Sequence, residues 1–266
     1  MLLNLMLLVN WTSTLSYPRQ IAKKDILEYG ETTAYMVIFN DLSHVLMDTL
    51  YVGSPASNRI LPLLKELGLI LRIVSSTVHS KVRNRLITAL MKASFDAFLL
   101  VLLAGGPTRA FCCQDYQIIE DDFRALRGLY LTYSDGLPEE LVAKASSEVK
   151  SILPLLQTDT ETLIERFKKA IFDSESYECT TKSRFPMPPV PPHWSPDHPN
   201  TILRILCYRN EEAATKFLKK AYDLPKTLWF LQKSTAYCVC LQLTNKRCGE
   251  LHCSASLWRI ETYACK

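Results

Sequence analysis

The residues best equipped for chemistry in this chain are its cysteines, one run of three acids and one row of bases. Near the carboxy end, Cys238, Cys240, Cys248, His252 and Cys253 could ligate a soft metal. Zinc sites usually present C-x2-4-C pairs separated by a longer loop. Here the first pair is C-x-C and the second is wider, so free thiols are expected, with no metal and no cofactor. Cys112 and Cys113 are adjacent, and a nucleophilic thiol needs a base or a cation to lower its pKa. Arg109 is the local cation and no histidine is close in sequence, so a packing or surface role is expected. Glu120, Asp121 and Asp122 are consecutive. Adjacent helical residues splay by about 100° around the axis, so the three cannot converge on one ion, and a solvated helix face is expected. His44 and His79 fall in predicted helices, and His193 and His198 in a proline-rich stretch, which leaves no visible triad. No catalytic residue is assigned, and no enzyme is expected.

The bases offer a different chemistry. Residues 59–92 hold seven Lys/Arg and one Glu, while 115–140 hold seven Asp/Glu and two Arg. Neighbouring helices carrying complementary charge would explain both runs, each solvated pair contributing about 0–1 kcal/mol. Within the first run, Lys81, Arg85 and Lys92 share one helical face at i, i+4 and i+11. Such a row could meet anionic lipid headgroups, at about 1 kcal/mol per base, or an acidic partner helix. It is the candidate lipid- or partner-docking face.

Composition narrows the class. The chain has 266 residues, a hydrophobic content of 48% and only 8 glycines, which disfavours an all-β protein rich in tight turns. Its formal net charge is +4, and residues 227–266 supply +3 of it. The body is therefore nearly neutral, and neither nucleic acid nor a small-molecule substrate is expected as a partner. Five of the nine cysteines crowd the last 29 residues with no regular framework, which suits a reducing compartment. The leader MLLNLMLLVNWTST is apolar and includes an Asn10-Trp11-Thr12 sequon. It lacks the basic start and small-residue cleavage site of a secretory signal, and a short hydrophobic leader or a truncated start is expected.

Helices must position these groups. Apolar residues at 60, 64, 67, 71, 74, 78, 82, 86, 90, 93 and 97 recur with a mean step of 3.7, close to the helical repeat. This predicts one long helix, bent near Gly68 or broken around Ser75-Ser76. The stretch FDAFLLVLLAGGPTRAF at 95–111 becomes apolar all round, as a buried helix does. Its uncharged window, 97–108, is 12 residues, short of the roughly 20 a bilayer span needs. Gly105-Gly106-Pro107 then ends the helix. Further helices are predicted over Thr33–Leu50, Gln114–Tyr133 and Leu137–Leu156, the last burying Leu141, Ala145, Val149, Ile152 and Leu156. Thr158-Asp159-Thr160-Glu161 reads as a capping box opening a helix through Leu163, Ile164, Phe167 and Ile171. Half the prolines fall between Pro186 and Pro199, a stiff connector anchored by Phe185 and Trp194. Two short helices follow, Thr201–Tyr208 and Glu211–Tyr222, the second capped by Asn210. The fold expected is all-α: antiparallel helices joined by short loops.

The segments AYMVIFNDLSHVLMDTLYVGSP (34–55), SSTVHSKVRNRLI (75–87), FDAFLLVLLAGGPTRAF (95–111), QDYQIIEDDFRALRGLY (114–130), LLQTDTETLIERFKK (155–169) and PNTILRILCYRNEEAATKFLKKAYDLPK (199–226) together resemble the carboxy-terminal part of the plant Unc-13-like proteins, relatives of the animal Munc proteins. That resemblance implies a lead-in at 34–73, a helical bundle like the second Munc homology domain at 74–184, a proline-rich connector at 185–200 and terminal helices at 201–226. It further implies an elongated antiparallel helical bundle built like vesicle-tethering subunits. The implied role is non-enzymatic exocytosis: scaffolding vesicle tethering or SNARE assembly in delivery to the plasma membrane. The implied partners are SNAREs or tethering factors, and the implied location is cytoplasmic, peripheral to endomembranes or plasma membrane. Residues 1–33 and the Cys-rich 227–266 depart from the pattern. Two alternatives follow from them: a zinc-binding interaction module in the tail, or a truncated gene product without independent function.

Overall fold

The computed structural model describes residues 30–106, 108–133, 136–173, 188 and 193–222. The metal-like set of the tail, Phe185 and the connector prolines other than Pro188, Pro196 and Pro199 lie outside the described residues. Among the described residues the fold is all-α, with no strand and one isolated bridge, Phe111 to Arg209. The chain divides into two compact units: the described parts of Met1–Leu102 with Asp115–Leu153, and of Leu103–Gln114 with Pro154–Lys266.

The first unit begins with a helical run over 30–36, a π-helical turn at Val37–Asp41 and α1 (Ser43–Asp48). Their apolar side chains, among them Ile38, Leu42 and Leu46, are buried, whereas Tyr35 is exposed. Next come α2 (Leu61–Thr77) and α3 (Ser80–Ala104). The expected single helix is thus two, and the interruption is at Val78-His79, not at Gly68 or Ser75-Ser76. The helix runs on past the serines to Thr77, and Ser76 and Thr77 send their hydroxyls back to the Ile73 carbonyl in its last turn (3.0 and 2.7 Å). Val78 is then extended (ψ 134°), so His79 lies between helices. Arg83 from the start of α3 donates to the Val78 carbonyl (3.2 and 3.3 Å).

The buried course of α3 extends well beyond its uncharged window. Val82–Ala104, 23 residues, is long and apolar enough to cross a membrane by length and composition, which corrects the expectation drawn from the shorter stretch. Of its most apolar window, 78% is buried inside the protein. Phe95 and Phe98 meet Phe123 of α4 (Tyr116–Thr132) at ring distances of 5.2 and 5.3 Å, and Phe95 meets Tyr130 edge-on at 6.0 Å. Such pairs contribute about 0.5–1.5 kcal/mol each beyond burial. The Tyr130 hydroxyl and Ser94 Oγ, 2.9 Å apart, satisfy each other inside this cluster.

After α4 the chain turns at Gly136 (φ +66°), where a Cβ would lie 2.3 Å from the Leu131 carbonyl oxygen, so only glycine fits. The helix expected over Leu137–Leu156 is interrupted at Ser146, giving α5 (Glu139–Ala145) and α6 (Ser147–Gln157). Leu141, expected inward, is 37% exposed and Val142 takes the buried position. Val149, Ile152 and Leu156, beyond the break, are buried as expected.

In the second unit, α7 (Thr160–Asp173) packs against both α8 (Pro199–Tyr208) and α9 (Glu212–Tyr222). Phe167 and Phe217 meet edge-on at 5.9 Å. The residue that caps α7 is Asp159, whose Oδ2 accepts from the Thr162 amide at 2.8 Å. Thr158 instead donates to the Pro154 carbonyl, so the expected capping box is replaced by a single Asp cap one residue on. Every residue of α8 is buried. His198 precedes it and its Nδ1 accepts from the Asn200 amide at 3.1 Å. Because α9 starts at Glu212, its cap position is Glu211, not Asn210.

Candidate functional site

The expected docking row lies on α3. Arg85 and Lys92 are exposed, on a helix whose other positions from Leu86 onward are mostly buried. The side chain of Lys81 lies outside the described residues. Seven residues on a helix make nearly two full turns, so Arg85 and Lys92 project in almost the same direction. α3 has no acidic residue in its first turn, so no carboxylate there offsets the bases near its amino end. Arg83, also basic and near that end, is spent on the Val78 carbonyl, so the row has Arg85 and Lys92 as its free described members.

The row stops at Asp96, four residues past Lys92, which accepts a hydrogen bond from the Tyr35 hydroxyl. Burial first, then Asp96, with smaller contributions from Glu31 and Glu148, pushes that hydroxyl well above the ordinary tyrosine range. The face is therefore basic from Arg85 to Lys92 and acidic at Asp96, which Tyr35 engages.

The acidic run behaves otherwise than expected. Asp122 is 3% exposed, not solvated. It accepts from the Arg59 Nε and Nη2 (2.9 and 2.6 Å), the Tyr51 hydroxyl (3.0 Å) and the Ile60 amide (3.3 Å). Tyr51 has φ +60°, a left-handed conformation that costs a bulky residue on the order of 1–3 kcal/mol. Its ring is held edge-on by Phe98 at 6.2 Å and its hydroxyl by Asp122. This cluster pins the start of α2 to α4. The acid-base complementarity expected between the two charge runs is realised in this one described pair, while Glu120 and Asp121 pair with Arg124 on their own helix.

Cys112 and Cys113 are partly buried thiols, not joined in a disulfide. The cation at Cys113 is Arg209, with Nη1 at 3.0 Å, not Arg109, which bonds the Gly105 carbonyl. Burial raises the Cys113 pKa more than Arg209 lowers it. Arg209 also donates to the carbonyls of Leu156 (2.8 Å), Leu155 (3.1 Å) and Thr158 (2.9 Å). Arg204 is equally hidden: it bonds Asn200 Oδ1 (2.9 Å) and the Leu103 carbonyl (3.3 Å), and lies 5.1 Å over Trp194. The sequence signal for these two arginines was their place in the apolar run TILRILCYR. Among the described residues no group of three or more His, Cys, Asp or Glu could hold a metal.

What fold and face define is an all-helical protein whose exposed chemistry is charge displayed on helices. Residues 9–228 match the family described as PATROL1-like, TPR repeats, and the chain belongs to that family. The Arabidopsis thaliana protein named Protein unc-13 homolog is 28% identical over 197 residues, covering 74% of this chain and 17% of that protein. The chain thus spans less than a fifth of that relative's length. No solved structure matches it.

Proposed function

We propose that this chain is a non-enzymatic membrane-trafficking module, part of the region resembling the second Munc homology domain at 74–184, and that it scaffolds vesicle tethering or SNARE assembly in the cytoplasm. Its Lys81, Arg85 and Lys92 face docks an acidic helical partner or an anionic membrane surface. One observation supports this most: Arg85 and Lys92 stand exposed on one face of α3, with no ion-pair partner among the described residues. Similarity to a protein named for Unc-13 supports the trafficking class.

The test is charge reversal of the row. The triple variant K81E/R85E/K92E should keep its helical circular dichroism, since Arg85 and Lys92 make no core contact. It should also lose most sedimentation with phosphatidylserine vesicles or most capture of purified SNARE helices. At about 1 kcal/mol per base, removing the row should weaken binding by about two orders of magnitude at low salt, and reversal by more. Unchanged binding to both would overturn the assignment of this face.

A further inference from the structure

In the first unit, α4 and α6 border a surface cleft of about 80 Å³. Its lining includes Arg124 and Arg127 from α4, Lys150 from α6, and Tyr116 and Glu120. Phe123 and Leu153, almost fully buried, form its apolar floor. The Nε of Arg127 is buried with no hydrogen-bond partner. That nitrogen is closed to solvent, so it is the Nη nitrogens of Arg127, which no described residue engages, that are left for an acceptor in the cleft. Lys150 is exposed and forms no ion pair among the described residues. The carboxylate in the lining is already engaged: Glu120 is held by the Tyr116 hydroxyl and lies 3.7 Å from Arg124 Nη2. Arg124 in turn bonds Asp121 at 2.7 Å. Two positive charges, Arg127 and Lys150, are therefore uncommitted over one depression.

We infer that this cleft is an anion site for a phosphate group. A tetrahedral phosphate offers acceptors in several directions at once, which suits a guanidinium fork on one helix and a rotating ammonium on the next. A planar carboxylate would use one of them. The cleft is small, well short of the roughly 300 Å³ of a drug-sized pocket, so it has room for a small anion and not for a larger ligand. The apolar floor strengthens the attraction by lowering the local dielectric. This site shares no residue with the Lys81, Arg85, Lys92 face and stands or falls separately from it.

The phosphate is either free or borne by a lipid, and the experiment separates these. Inorganic phosphate is titrated into the full chain by calorimetry at low salt. Arg127→Gln and Lys150→Gln should each weaken binding about tenfold, the loss of one charged hydrogen bond, with the helical circular dichroism unchanged. Lys65→Gln, an exposed lysine on α2, should leave it intact. In the second arm, phosphatidylcholine vesicles carry a small fraction of a phosphatidylinositol monophosphate. Retention that both cleft variants lose and inorganic phosphate competes away assigns the group to a lipid, while phosphate binding without retention assigns it to a free phosphate. Phosphate binding that is absent, or that survives both cleft variants, overturns the site.

Discussion

Each unit of this molecule buries a charge, and the two solve the problem differently. In the first, Asp122 takes an opposite charge, Arg59, whose side chain remains 44% exposed, together with two neutral donors. In the second, Arg209 is buried and has three carbonyls and a thiol in direct contact. Two of those carbonyls, Leu155 and Leu156, belong to the last turn of α6, where unsatisfied oxygens and the negative end of the helix dipole accumulate. A helix end thus serves Arg209 as the counter-charge that Arg59 supplies to Asp122. The difference predicts that the second unit depends on guanidinium geometry, and the first on charge that solvent partly shares.

That comparison can be broken most forcefully at Arg209. Arg209→Leu leaves three buried carbonyls without their donor, and the cost should be about 4 kcal/mol. Arg209→Lys should recover less than half of it, because an ammonium cannot reach three oxygens with the planar fork. Denaturant unfolding measures both, and a Lys variant as stable as the native chain would refute the geometric account. Asp122→Asn should have the next largest effect. It keeps the shape and one acceptor but removes the charge facing Arg59, and because Arg59 is nearly half exposed the loss should be about 2 kcal/mol. In a protein of this size that lowers the melting temperature by about 4–8 °C.

The smallest effect sharpens the second unit alone. His198 caps α8 through Nδ1, which must be unprotonated to accept from Asn200, and burial lowers its pKa. A depressed folded pKa means that the native state binds fewer protons than the unfolded one, so this contribution is complete above the unfolded histidine pKa. It is lost as the pH falls through the folded value. Stability should therefore decline from neutral pH into the acid range with a step below about pH 6.5. His198→Asn retains a capping acceptor without the titration and should flatten that step. An unaltered pH profile in the variant would place the titration elsewhere.

The helices were legible because their apolar spacing is a local property. Leu67, Leu71 and Val74 face inward on α2 as their period requires, with Leu63 in the buried place expected of Leu64, and α3 ends at Ala104 before the glycine pair. Boundaries were less legible. The break at Val78-His79 lies where Val78 turns extended, and the apolar period, with positions 74, 78 and 82, runs through it unmarked. The candidate face was legible as an arrangement of Lys81, Arg85 and Lys92, while its limit at Asp96 required Tyr35, 61 residues away, to arrive beside it.

The sequence by itself determined an all-helical chain, because burial of one apolar stripe per helix needs only neighbours three and four residues apart. Tertiary structure alone decided which charges leave water. Asp122 finds Arg59 across 63 residues of chain, and Arg209 finds the end of α6 across 53. A charge is buried where distant groups can replace its hydration, and those groups are brought together only by packing.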